Sequence, residues 1–294
     1  MPPRPRAERL LPTALAIVLV VPLAFAVPRR AAAWGCAGHA IVGTGAMELV
    51  APATRGAVAG LLDGETLGAA SCWLDDIRPS RPDTKRWHYV DIPGGATAYD
   101  PARDCVPEPD GDCIVAAIGR ARTALADRTR PRVERADALR VLAHLVGDLH
   151  QPLHCDDHDD HGGNEVRVEF AGERTNLHRL WDTGLVEQEL RASWAWPGFP
   201  ESVYALLGDE REARRGDVPD WAMETHALAE NEVYGRLPAD RRLGPDALRL
   251  AEPTLRRQLA RASVRLAAAL DAALGAPAPD AVPSPAAPPS RAAP

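Results

Sequence analysis

The chain has 294 residues, a hydrophobic content of 46% and a formal net charge of −7. That length and apolar content suffice for one large globular domain with a full core, and the aperiodic placing of 23 Gly and 28 Pro excludes a collagen-like fold. The acidic balance is a poor match to a protein that grips duplex nucleic acid with a broad basic face.

Residues 1–33 read as a secretory signal peptide. Arg4 and Arg6 form a positive head, an apolar run extends from Leu10 to Val27, and Ala31-Ala32-Ala33 offers a small-residue cleavage site before Trp34. Cleavage there places the processed protein in the periplasm or the medium, without stable membrane association. Residues 34–274 show neither internal repeats nor an interdomain linker and read as one domain. Helical patterns run over residues 38–51, 114–126, 136–149, 177–190, 219–234 and 246–274. In the third of these, Leu139, Leu142, Ala143, Val146 and Leu149 recur at spacings of three and four, and Pro152 stops the helix. Residues 165–170 alternate with period two, and Ala171-Gly172 offers a turn, so a small β-hairpin is expected. Residues 275–294 are nearly all Ala, Pro, Ser and Asp and read as a disordered tail. The expected fold class is mainly α, a single helical domain with one small β-hairpin.

Five cysteines remain after export: Cys36, Cys72, Cys105, Cys113 and Cys155. An exported chain keeps disulfides. Cys105 and Cys113 flank a Pro/Asp/Gly loop and are the easiest pair to close. The odd count leaves one thiol over, or one intermolecular bond. No CxxC occurs, which speaks against a thiolate zinc site.

The nine histidines keep informative company. His144 and Asp148 are spaced i, i+4 on one predicted helix and share a face. His178 and Asp182 repeat the spacing on another. His154 follows Pro152, Asp75 lies in Trp73-Leu74-Asp75-Asp76, His88 lies in Trp87-His88-Tyr89-Val90-Asp91, and His39 is five residues after Trp34. Imidazole and carboxylate are the ordinary non-thiolate zinc ligands. One such pair is more often a plain hydrogen-bonded pair. Two, beside a third His and on apolar flanks where unpaired polar groups are costly, point to metal. Cleavage before Trp34 would add a free α-amine, which near neutral pH can lose its proton and bind a metal together with the Trp34 carbonyl. His150 reads equally as a plain structural histidine and as a partner of the ligands. His158 and His161 sit in an acidic loop expected to be solvated, and His226 is read as structural.

The motifs Trp34-Gly-Cys-Ala-Gly-His39, Trp73-Leu-Asp75, Trp87-His-Tyr-Val-Asp91, His144-Leu-Val-Gly-Asp148-Leu-His-Gln-Pro-Leu-His154, Gly162-Gly-Asn164 and Asn176-Leu-His-Arg-Leu-Trp-Asp182 occur in that order. Together they resemble the S1/P1 family of zinc-dependent nucleases. The resemblance implies a first zinc held by Asp75, His88, His144 and Asp148, and a second held by His154, His178 and Asp182. It implies a third held by the Trp34 amine and carbonyl and His39, with Asp148 shared as a bridge. Tyr89 matches an aromatic that stacks on a base, and Arg78 and Asp91 match a phosphate-binding arginine and its orienting carboxylate. Asn164 is a weaker candidate for substrate contact and reads equally as a structural turn residue. The implied activity is hydrolysis of single-stranded DNA and RNA by a secreted or periplasmic monomer, leaving 5′-phosphates, with nucleotides as further substrates. Zinc-dependent phospholipase C, which shares the fold and an N-terminal Trp, is the nearest alternative. A non-catalytic zinc-binding protein is the other.

Overall fold

The computed structural model describes residues 34–192 and 198–275. The predicted signal peptide, and the predicted tail beyond Gly275, lie outside the described residues. The described part is helical with one small sheet, as the patterns predict.

The helix Arg132–Asp148 is the central element. Leu139, Leu142, Ala143, Leu145 and Val146 have no exposed surface, and from Leu142 to Asp148 every residue of this helix is buried. Burying one such Leu is worth about 1.5–3 kcal/mol. It packs against Ile114–Ala126, the first helix Gly35–Leu49, and the long terminal helix Pro245–Leu274. The first and terminal helices approach closely because Gly45 carries no side chain, and a Cβ there would lie 2.6 Å from Ser263 Oγ. The central helix ends at Asp148, and Pro152 opens a short 3-10 turn, Pro152–His154. The terminal turn of one helix and the start of the next segment thus deliver His144, Asp148 and His154 to one place.

Three features depart from the sequence expectation. The predicted helix over 177–190 is interrupted: a π turn, Leu180–Gly184, separates Leu177–Arg179 from Leu185–Ala192. The helix Val218–Leu228 likewise runs into a π segment, Ala229–Tyr234. The hairpin of strands β1 (Arg167–Phe170) and β2 (Glu173–Asn176) turns at Ala171 and Gly172, both with positive φ. It gains a third strand, β3 (Arg242–Leu243), which pairs parallel to β1 and gives the order β2-β1-β3.

Two disulfides form, Cys36–Cys72 and Cys105–Cys113, with Cα separations of 5.2 and 5.0 Å. The first staples the start of helix Gly35–Leu49 to the segment carrying Asp75. Cys155 is the thiol left over. It is buried, it donates to the Leu149 carbonyl at 3.4 Å, and burial pushes its pKa well up. A thiol so held is a poor competitor for metal. No helix among the described residues is long and apolar enough to cross a membrane.

Candidate metal centre

Trp34 opens the first helix in a left-handed conformation (φ 47°), costly for a bulky residue. Its fully buried ring holds it there, with Nε1 donating to the Gly147 carbonyl at 2.8 Å. One turn later His39, also fully buried, points at the central helix. Gly147 makes the approach possible, since a Cβ there would stand 2.8 Å from His39 Nδ1.

Asp148 is the hub. His39 Nε2 lies 3.2 Å from its Oδ1, and His88 Nδ1 and His144 Nε2 lie 2.9 and 3.1 Å from its Oδ2. Asp75 Oδ1 is 3.9 Å from His88 and 3.8 Å from His144. The His39 and His144 rings stack at 4.0 Å. A second group forms beside it, where Asp182 on the π turn lies 3.3 Å from His154 Nε2 and 3.2 Å from His178 Nε2. Three sets of ligand atoms close enough to share an ion result: His39/His144/Asp148, Asp75/His88/His144 and His154/His178/Asp182. His144 reaches two of them.

Backbone carbonyls fix which nitrogen each imidazole offers. His144 Nδ1 donates to Ser71, His154 Nδ1 to His88 and His178 Nδ1 to Gly162, each at 2.8 Å. A carbonyl only accepts, so the hydrogen of a neutral ring sits on Nδ1 and the Nε2 lone pair faces a carboxylate. Two acceptors facing across about 3 Å need a proton or a cation between them. Several buried atoms also lack any hydrogen bond: both His39 nitrogens, His88 Nε2, Asp75 Oδ2 and Asp148 Oδ1. Leaving such groups unmade costs about 1–3 kcal/mol each. Asp148 moreover sits in the last turn of its helix, at the negative end of the dipole. Divalent cations would satisfy one nitrogen of each ring and the free carboxylate oxygens, and the donor set fits them.

Protonation tells the same story. Burial pulls His144 down, yet the Asp148 and Asp75 carboxylates outweigh it and push it up to about 9. Burial holds His39 and His88 below their ordinary value. Despite its own burial Asp148 is held well below the usual carboxylate range, His144 acting most strongly on it. A proton therefore stands in when no metal is bound, and metal binding must expel it.

His88 and the second group, His154, His178 and Asp182, line a cleft of about 310 Å³ together with Arg78, Tyr89, Asp91 and Asn164. The expected partnership of Arg78 with Asp91 is replaced by another. Arg78 stands 3.9 Å from Asp75, three residues earlier at the end of the helix Trp73–Ile77, whereas Asp91 lies 4.0 Å from Arg86. The i, i+3 spacing on a helical turn brings the first pair together. Asn164 donates from Nδ2 to the His161 carbonyl at 2.8 Å, so it shapes its turn while lining the cleft.

Sequence reasoning missed three residues. Gln151 donates from Nε2 to Asp182 Oδ1 and accepts from the Leu153 amide, which orients a carboxylate of the second group. A Gln directly before the Pro that stops the helix was the available signal. Lys85, the chain's one lysine, lines the cleft and adds a cation, and Arg86 faces Asp91. Of the two readings of His150 the structural one holds: Nδ1 donates to the Val146 carbonyl and Nε2 accepts from Arg265.

Buried imidazole–carboxylate groups beside a cleft lined by cations and a tyrosine could hold metal ions in the manner of phosphodiester hydrolases. Comparison with known proteins agrees. The S1/P1 nuclease family matches residues 34–275, and the chain belongs to that family. It is 30% identical to endonuclease 3 of Arabidopsis thaliana over 263 residues, 81% of this chain and 88% of that protein. It is 31% identical to nuclease S1 of Aspergillus oryzae over 214 residues, 69% and 68% of the two chains. It is 32% identical to nuclease P1 of Penicillium citrinum over 160 residues, 51% and 57%. The chain is therefore a nuclease, and the lipase and zinc-storage readings fall away.

Proposed function

We propose that this nuclease hydrolyses single-stranded DNA and RNA with three zinc ions, leaving 5′-phosphates and free 3′-hydroxyls, and that it also acts on 3′-nucleotides. Asp75, His88, His144 and Asp148 would hold one ion and His154, His178 and Asp182 another. His39 and the amine and carbonyl of a Trp34 freed by cleavage would hold the third, with Asp148 shared. Zinc there supplies positive charge to the phosphate and a nucleophile drawn from water at neutral pH. The chain's own residues do the rest. Arg78 reaches the equatorial phosphate oxygens as a fixed fork of donors. The Tyr89 ring gives an unpaired base a face to stack on. Asp91 and Arg86 set the polarity of the wall beside it, and Asn164 offers an amide to the strand. A base must leave a duplex to stack on Tyr89 inside the cleft, so single strands are favoured. Export before Trp34 is released, to the periplasm or medium, fits the two disulfides, and the enzyme works as a monomer.

One observation carries this reading: a single buried carboxylate, Asp148, encircled by three buried imidazoles and left with an unsatisfied oxygen. The test is metal analysis of protein starting at Trp34, alongside cleavage of matched single- and double-stranded substrates. Three zinc ions per chain with faster single-strand cleavage is expected. Activity with one ion or none, or equal rates on duplex, would overturn it.

A further inference from the structure

A second imidazole–carboxylate cluster lies outside the cleft. Asp156, His158 and Glu230 bring their ligand atoms within reach of one ion, and His226 stands against Asp156 beside them. The distances are 3.3 Å from His158 Nε2 to Asp156 Oδ2, 2.9 Å from His158 Nε2 to Glu230 Oε1, and 2.7 Å from His226 Nδ1 to Asp156 Oδ1. Zinc bonds of about 2.0–2.1 Å at tetrahedral angles put donor atoms about 3.3 Å apart. None of the four residues lines the cleft.

The loop bearing Asp156 and His158 reads from sequence as solvated, yet Asp156 is 1% and His226 3% exposed. Neither carboxylate oxygen of Asp156 nor His226 Nδ1 takes part in a hydrogen bond, although they stand 2.7 Å apart. The alignment a hydrogen bond needs is missing. Meanwhile His226 Nε2 donates to the Ala96 carbonyl at 3.1 Å. In a neutral ring this leaves the Nδ1 lone pair facing a carboxylate. His144, His154 and His178 show the same signature in the cleft, with one nitrogen tied to a backbone carbonyl and the other aimed at a carboxylate. His226 and Glu230 also repeat the i, i+4 spacing of His178 and Asp182, and Glu230, like Asp182, sits on a π segment. Gly94 leaves room for the His158 ring, which a Cβ would approach to 2.8 Å. A recess bordered by Gly95, His226, Glu230 and Asn231 gives an ion access from solvent.

We propose that Asp156, His158, His226 and Glu230 bind a further divalent cation, zinc by their donor set, which braces the wall of the cleft and takes no part in the reaction. Two imidazoles and two carboxylates make the mixed nitrogen and oxygen shell that zinc accepts. The ion ties three segments together. Glu230 Oε1 already accepts from the Gly95 amide at 2.9 Å, and the Gly94 amide donates to the Asp157 carbonyl at 3.0 Å. One segment leaves the cleft at Asp91, another at His154, and the third is the helix Val218–Leu228 with its π extension.

The test uses the processed chain loaded with Zn²⁺ and freed of excess. Zinc is counted in the wild type, in Glu230→Gln and in His158→Gln, and a wild-type crystal is mapped by anomalous scattering at the zinc edge. One zinc fewer in each variant is expected, with kcat on single strands unchanged and a peak among the four side chains. A blank at that position, or folded variants that keep every ion, would overturn the proposal. If circular dichroism shows a variant unfolded, the wild-type map alone decides. The readout is a difference and a location, so it holds whether the cleft carries three ions or fewer.

Discussion

Replacing Gly147 by Ala adds one methyl group in the middle of the proposed metal cluster. Its Cβ would stand 2.8 Å from His39 Nδ1 and 3.2 Å from Cε1. His39 cannot step aside easily, because its ring is fully buried and stacked on His144 at 4.0 Å. Alanine brings about 0.8–1.0 kcal/mol of helix propensity, while overpacking costs about 1–3 kcal/mol. The chelated protein should therefore lose between zero and about 2 kcal/mol, a modest change. The larger effect falls on His39, pushed off its 3.2 Å approach to Asp148. Metal affinity or activity should fall on the order of 10–100-fold, the usual consequence of disturbing what orients a ligand. Zinc counting, kcat/KM on a single-stranded oligonucleotide and thermal unfolding with and without chelator measure the three effects. A Gly147→Ala protein with full zinc and wild-type kcat/KM would refute the reasoning.

Tyr89→Ala should weaken oligonucleotide binding by the roughly 1–3 kcal/mol of a stacked base while zinc content stays whole, and unchanged KM on single strands would remove Tyr89 from the site. Arg78→Ala should keep its zinc and lose on the order of 100-fold in kcat, as when one charge-stabilising donor is removed; normal turnover would refute its role. Adding Gly-Ser before Trp34 converts the amine into an amide, whose delocalised lone pair is a poor ligand, so zinc content and activity should drop relative to protein starting at Trp34; equality in both would show that the amine is not used. In chelated protein the raised imidazoles, His144 pushed up to about 9 by Asp148 and Asp75 and His178 raised by Asp182, confer stability that is complete below 6.5 and lost as pH rises through the folded values. Zinc-loaded protein should show the opposite trend over that window, because zinc needs bare imidazole, and parallel Tm profiles with and without chelator would contradict it.

Much of the fold was legible because its signals are local. The helix Ile114–Ala126 has the predicted bounds. Its apolar positions recur with helical period, and the Asp112-Cys113 approach and Asp127 break the pattern on either side. The turn at Ala171-Gly172 was legible for the same reason. Illegible features depend on distant partners or on a single shifted hydrogen bond. Strand β3 is two residues long and exists only through its register with β1. The π turn at Leu180–Gly184 leaves the apolar spacing of residues 177–190 almost unchanged while moving Asp182 under His154. The Cys36–Cys72 bond needs the first helix and the Asp75 segment already packed.

The site divides along the same line. A His with a carboxylate four residues on occurs at 144/148, 178/182, 226/230 and 161/165, so spacing alone selects too much. His161 and Glu165 stay exposed, at 79% and 64% of their side chains. What separates the first three is a carbonyl from elsewhere in the chain, Ser71, Gly162 or Ala96, that takes one ring hydrogen and turns the other nitrogen inward. Those carbonyls are 73, 16 and 130 residues away from their histidines. His150 is the counterexample. It is fully buried and close in sequence to Asp148, but its Nδ1 bonds to its own helix and its Nε2 meets the Arg265 guanidinium. A nitrogen already accepting from a cation has no lone pair left for a metal. Ligand chemistry is therefore written in the sequence as residue type and spacing, while the choice among candidates is made by backbone groups that only the fold brings near.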